Sequence, residues 1–287
     1  MRFKQFIVAI ALGLHAVTFS VSTATTSTET PRIITLAPHL TEMVYDLGLE
    51  AQLVARDDAS NYPEAVKNIP SVGSGLNPSK ERLLLYEPDI LLSYHPHTQL
   101  AKLFPNQHVD IINSAPSSVY ALFDDWRRVL ALAQKDANKR SRIEAEINAI
   151  ESEWQHLVED YKNKDIKKVF FLISEQPLFS LSDMTFLSQA VKGCHTENIF
   201  ADIKQASFIV NIEDLILRAP DIIIHGVSTT SDIDKKRARE ATLKLFENIG
   251  IKLRTEQLLT MDADILHRPT QRFMKELPNI CEAIHRE

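Results

Sequence analysis

The chain has 287 residues, a formal net charge of −6, 44% hydrophobic and 24% charged residues, and 7 glycines. This is ordinary globular composition, long enough for two domains with buried cores, and it lacks the Gly/Ser-rich or Pro-rich tract of a flexible linker. The acidic balance argues against nucleic acid or an anionic lipid surface as partner.

The first residues read as an address. Arg2 and Lys4 are followed by an apolar stretch from Phe6 to Phe19 and small polar residues from Ser20 to Ala24. That is the layout of a cleavable secretory signal, residues 1–24, with cleavage expected near Ala24. The stretch is short for a transmembrane span, and a retained anchor is the alternative. No cysteine stands at the cleavage point, so no lipid anchor is expected. Losing Arg2 and Lys4 moves the charge from −6 to −8. The mature chain is expected in the periplasm as a soluble monomer.

The next elements alternate. Strand 32–36, helix 40–47, strand 51–56, helix 63–67, a helix–turn–strand unit over 81–92 and strand 108–112 make an α/β lobe over 31–116. Residues 117–163 read as helical. Ser117 and Ser118 can cap the start. Ile143, Ile147, Ile150, Trp154 and Leu157 then form one stripe of a long amphipathic helix. From Asp136 to Lys162 it would be about 40 Å long, a strut joining two lobes. A helical hairpin broken near 136–139 is the alternative. The remainder, 164–287, reads as strand 168–173, helix 184–193, a second helix–turn–strand unit, helix 235–249, strand 257–261 and helix 270–286.

The two units are similar. Glu81-Arg-Leu-Leu-Leu-Tyr-Glu-Pro-Asp-Ile-Leu-Leu92 and Glu213-Asp-Leu-Ile-Leu-Arg-Ala-Pro-Asp-Ile-Ile-Ile224 share one pattern at an offset of 132. The basic-led apolar runs at Arg32 and Lys168 repeat at an offset of 136. In each unit the acid suits a helix N-terminus, the proline stops the helix, and the isoleucine run enters a strand buried on both faces. One copy would mean little, since such joints are common. Two copies point to α/β architecture with two similar lobes, mostly parallel sheets, one long joining helix and a ligand cleft between them. Cys194 and Cys281, 87 residues apart, are either one disulfide, worth roughly 4 kcal/mol, or two free buried thiols; an exported chain favours the disulfide.

Several motifs carry a family resemblance over nearly the whole mature chain. They are Arg32-Ile-Ile-Thr-Leu-Ala-Pro-His-Leu-Thr-Glu42 with Leu47-Gly48, Asn61-Tyr-Pro-Glu-Ala65, Ile69-Pro-Ser-Val-Gly73, Asn77 before Glu81, and Glu197-Asn-Ile-Phe200 after Cys194. Their order and spacing resemble the periplasmic cobalamin-binding and iron-chelate-binding proteins, the solute receptors of ABC importers, nearest the cobalamin-binding branch. The resemblance implies a Cys194–Cys281 disulfide, capture of a corrinoid in the cleft, delivery to an inner-membrane ABC permease, and docking through Glu81 and Glu213. The tryptophan-lined cleft of those relatives has no counterpart here, because Trp126 and Trp154 both fall on the linking helices. The ligand is therefore a cobalt corrinoid or, as the alternative, haem or a ferric siderophore.

Candidate ligand contacts are Tyr62, Tyr94, His95, His97, Asp262 and Arg272. Tyr94, His95 and His97 stand at the carboxyl end of a predicted strand, where open α/β sheets bind ligands. His39 follows the first strand in the same way. Tyrosines can stack on a flat ligand, and histidines can reach a metal it carries. Arg268 or Arg272 can pair with a carboxylate or phosphate, or Arg272 can form a salt bridge at the helix start. There is no Gly-x-Ser-x-Gly elbow, phosphate-cradling glycine loop or His-Glu-x-x-His pair, so no enzyme, resident cofactor or protein-held metal is expected. A periplasmic sensor or enzyme on the same fold is the rival from another class.

Overall fold

The computed structural model describes residues 30–96, 99–105, 107–229 and 231–286. The expected signal segment and His97 lie outside the described residues.

The first lobe runs β1 (Ile33–Thr35), α1 (Pro38–Asp46), β2 (Leu53–Ala55), the hairpin β3 (Gly73–Ser74) and β4 (Asn77–Pro78), α2 (Lys80–Leu85), β5 (Ile90–Ser93) and β6 (Asp110–Asn113). Its sheet is parallel in the order β2-β1-β5-β6. All of β1 and β5 is buried, which explains their unbroken apolar runs. Two helices follow, α3 (Val119–Ala133) and α4 (Ala137–Tyr161). The second lobe runs β7 (Lys167–Leu172), β8 (Ser174–Glu175), β9 (Leu178–Leu181), α5 (Phe186–Lys192), β10 (Thr196–Asn198), β11 (Ser207–Ile209), α6 (Ile212–Arg218), β12 (Ile222–Val227), α7 (Asp232–Asn248), β13 (Leu258–Asp262), α8 (Ala263–Leu266) and α9 (Gln271–Ile284). Its parallel sheet has the matching order β10-β7-β12-β13.

The duplication extends to single atoms. Asp89 Oδ2 accepts the Arg32 N–H, and Asp221 Oδ2 accepts the Lys168 N–H, each at 2.8 Å. Thus the aspartate of each Pro-Asp turn ties its own sheet's first strand. Ser79 and Asn211 cap α2 and α6 in the same register. Each helix then ends through a left-handed residue, Glu87 at φ 40° and Ala219 at φ 46°.

The helical stretch is not continuous. It breaks between Ala133 and Ala137, where Asp136 caps α4 through the Asn138 and Lys139 N–H groups. The 25-residue α4 is the strut, and α3 packs against it. One apolar core passes from Ile33 and Leu40 through Trp126 and Ile147 to Phe171, Phe186 and Phe273, so the two lobes share a filled seam. The helix expected over 63–67 is a 3₁₀ turn over Glu64–Asn68. The antiparallel sheet β11-β9-β8 and the β3–β4 hairpin were not foreseen, because runs of two to four residues are too short to display a period.

Cys194 and Cys281 are bonded and fully buried, tying the end of α5 to α9. Replacing both with alanine is expected to cost about 2–4 kcal/mol. Urea unfolding of the double variant checks this, and an unchanged midpoint would contradict it.

Candidate functional site

A cavity of about 760 Å³ opens between the lobes at the carboxyl ends of both sheets. The first lobe supplies His39 after β1, Asp57 and Asp58 after β2, the β3–β4 hairpin tip, Tyr94 and His95 after β5, and Ser117 beyond β6. The hairpin tip is pressed against the end of β1: a Cβ at Gly75 would collide with the Leu36 carbonyl. This fixes Leu76 as an exposed apolar finger in the cleft. The second lobe supplies Ile173, Phe179 and Leu181 around β9, Met184 and Phe186 at the start of α5, and His267 and Arg268 after α8. One wall is therefore rich in polar and aromatic groups, and the facing wall is largely apolar.

Three rings join on the first wall. Tyr94 meets His39 edge-on at 5.3 Å between centroids and meets His95 at 4.6 Å. His39 Nε2 lies 3.3 Å from the Ser114 carbonyl, which can only accept, so Nε2 carries the proton. Burial, with the nearby Arg268 charge, brings the His39 pKa down to about 4 against that bond. The His39 ring is thus neutral at pH 7. His267 leans on β12, where a side chain at Gly226 would strike its ring. Crowding by the surrounding chain, with His225 adding, pushes His267 down to about 4 as well, although the residue keeps an open face toward the cleft.

Beside the cavity an ion-pair cluster locks the lobes together. Glu42 on α1 is 2% exposed. Its carboxylate accepts from Arg272 Nε at 2.8 Å and Nη2 at 2.7 Å, and from Arg268 Nη1 at 2.9 Å. Arg268 also bonds Asn61 and Asp264, and Asn61 bonds Asp264 in turn. Asp46 accepts the Gln271 N–H; burial pushes Asp46 up to about 6 against that bond, with Glu42 adding.

The proposed ligand contacts divide accordingly. Tyr94 and His95 line the cavity. Tyr62, Asp262 and Arg272 are not among its lining residues. The Arg272 guanidinium is committed to Glu42 and lies 3.8 Å from the Tyr62 ring centroid. Asp262 caps α8 through the Asp264 N–H. Both tryptophans lie away from the cleft: Trp126 is buried against Phe123, and Trp154 meets Tyr120. Sequence reading missed Asp57, Leu76, Phe179, Met184 and the role of Glu42. The Gly-Ser-Gly-Leu76 turn before Glu81 was the available cue for the finger. Nothing local ties Glu42 to a partner 226 residues away. Among the described residues, no cluster of three or more metal-ligating side chains is present. No helix there is long and apolar enough to cross a membrane.

Comparison with known proteins agrees with this architecture. The family model described as periplasmic binding protein matches residues 33–249. The vitamin B12-binding protein of Vibrio cholerae serotype O1 is 28% identical over 253 residues, 87% of each chain. That of Pectobacterium carotovorum is 32% identical over 206 residues, covering 69% of this chain and 71% of its own. Among solved structures, the periplasmic vitamin B12 binding protein BtuF of Vibrio cholerae superposes with a TM-score of 0.70 at 27% identity, over 88% of this chain and 96% of its own. The periplasmic heme binding protein HutB of Vibrio cholerae superposes with a TM-score of 0.71 at 19% identity, over 89% and 99%, a likeness of fold alone.

Glu42→Gln is expected to destabilise the protein by about 3 kcal/mol, because two largely buried guanidiniums lose their anion. Urea unfolding measures it, and a loss under 1 kcal/mol would contradict the lock. His39 gives a pH signature. The unfolded ring protonates near 6.5 and the folded ring near 4, so stability falls as pH drops through that window, by about 2 kcal/mol at pH 5. Asp46 acts in the opposite sense, losing stability as pH rises through about 6. Comparing wild type with His39→Gln from pH 7 to pH 5 isolates the histidine contribution; parallel profiles would contradict it.

Proposed function

Because this chain belongs to the periplasmic binding protein family, we propose that it is the solute receptor of an ABC importer and captures a corrinoid of the vitamin B12 type. Residues 31–116 and 164–287 act as the ligand-holding lobes, and 117–163 as the strut. Residues 1–24 direct export to the periplasm and are removed. The protein works as a monomer by capture and delivery, without catalysis. Glu81 and Glu213, both exposed in the first turns of α2 and α6, meet the inner-membrane permease. Glu81 stays ionised because its own backbone N–H and the Ser79 hydroxyl hold its carboxyl below the usual range.

The charge balance of the cleft carries the choice of ligand. Among the described lining residues Arg268 is the one lysine or arginine, and it is engaged by Glu42, Asp264 and Asn61. His39 and His267 are neutral at pH 7. Asp57 and Asp58 add negative charge. A haem brings propionates, and many ferric chelates bring carboxylates or catecholates, which need unengaged cations. A corrinoid presents an apolar-faced ring fringed with uncharged amides. Asp58 and serine oxygens can accept from those amides, while Phe179, Met184 and Leu76 cover the ring. One observation favours haem instead: Tyr94 and His95 are exposed side by side and have the chemistry to ligate iron.

Titration with cyanocobalamin and haemin, followed by calorimetry and absorbance, separates the two. Cyanocobalamin is expected to bind at least tenfold more tightly than haemin. Tyr94→Ala should weaken it about tenfold through loss of aromatic contact. Tight haemin binding with a Soret shift, together with indifference to cyanocobalamin, would overturn the corrinoid reading.

A further inference from the structure

We infer that two exposed apolar pairs, Leu84–Leu85 on α2 and Ile216–Leu217 on α6, are contact knobs for a two-fold-symmetric membrane partner, the permease itself. The inference rests on the docking reading of Glu81 and Glu213 and extends it to other residues and another kind of interaction.

Each docking helix is short and carries three apolar residues in a row after its acid. The first of them is fully buried in both lobes: Leu83 and Leu215 are both 0% exposed. The other two face outward in both lobes. Leu85 is 70% exposed and Leu217 83%, and Leu84 and Ile216 are also exposed. Ile212, in the first turn of α6, extends the second patch. Isolated exposed leucines need no explanation. These are paired, and they recur at the same positions of two helices with matching N-caps, left-handed ends and aspartate ties. Packing within each lobe asks only for the buried leucine, so it does not account for the repeated exposure.

Their placement names the occupant. The loop before α2 lines the cleft with Ser74, Gly75 and Leu76, and Glu81 stands five residues beyond Leu76. The strand before α6 lines it with Ala206 and Ser207, and Glu213 stands six residues beyond Ser207. Both helices run back from the carboxyl ends of their sheets, so both begin beside the cleft. Each lobe thus offers the same combination next to the ligand: an exposed acid at the helix start and an apolar pair one turn along. Two equivalent patches on one chain fit a partner that presents the same surface twice, and a dimeric permease does so. The acids supply orientation and encounter rate, while desolvated apolar side chains hold the complex together.

The test uses the whole mature protein loaded with cyanocobalamin and its own host's permease–ATPase complex in nanodiscs. Docking affinity and ATP-driven uptake are measured for Leu85→Ser/Leu217→Ser, Leu85→Met/Leu217→Met and Glu81→Gln/Glu213→Gln. Cyanocobalamin affinity and Tm serve as controls of folding. The serine pair is expected to dock at least tenfold more weakly, with ligand affinity and Tm unchanged. The methionine pair should stay near wild type, and each single serine variant should show a similar partial loss. Wild-type docking by the serine pair, with weak docking by the glutamine pair, overturns the knobs and leaves the docking reading standing. Wild-type docking by all three overturns both. Sedimentation velocity covers a different occupant: a homodimer that the serine pair dissolves while docking is unaffected would assign these patches to a second copy and overturn the inference.

Discussion

The buried carboxylate of Glu42, shared by Arg268 and Arg272 of the opposite lobe, is the constraint on which the site depends. A charge taken out of water must be closely paired, and here two guanidiniums from 226 and 230 residues away do the pairing. This lock has two consequences. It fixes the angle between the lobes at one side of the cleft, where the continuous core through α3 and α4 already resists bending. It also engages Arg268, the one arginine among the described residues that line the cavity. A cleft that holds its shape and, among the described residues, has no unengaged lysine or arginine suits a large, pre-organised guest whose rim is mostly uncharged amides.

The two lobes are one plan used twice with different finishing. Strand order, helix caps and aspartate ties repeat, and these set the sheet ends that face each other. The additions differ. The first lobe inserts the β3–β4 hairpin, which brings Leu76 into the cleft opposite the apolar wall. The second inserts the antiparallel β11-β9-β8 flap, which carries Phe179 and Leu181, and gains a disulfide to α9. A shared frame therefore presents two chemically unlike walls.

Much of this frame was legible in the chain because it rests on local rules. Helix–Pro-Asp–strand joints announce buried parallel strands, and the Ile143-to-Leu157 stripe announces α4. Strand-end position brought out Tyr94 and His95, and export with two cysteines suggested the bond between them. The remainder needed contacts between distant residues. Arg272 has the same appearance in sequence whether it meets a ligand or Glu42, and only the fold brings Glu42 to it. Tyr62 stays exposed and lies against the Arg272 guanidinium, a contact that sequence spacing does not reveal. Asp262 caps α8, a bond that its place in the sequence does not announce. The break at 134–136 was foreshadowed only as an alternative, since the apolar stripe of α4 does not reveal where α3 stops.

A crystal structure of the protein soaked with cyanocobalamin tests the central claim most directly. The account predicts the corrin ring in the cleft between the Tyr94 and Phe179 walls, with Glu42 still holding both arginines and the lobes at the same angle. A ligand bound elsewhere, or one whose arrival draws Arg268 or Arg272 away from Glu42 into the cleft, would contradict it.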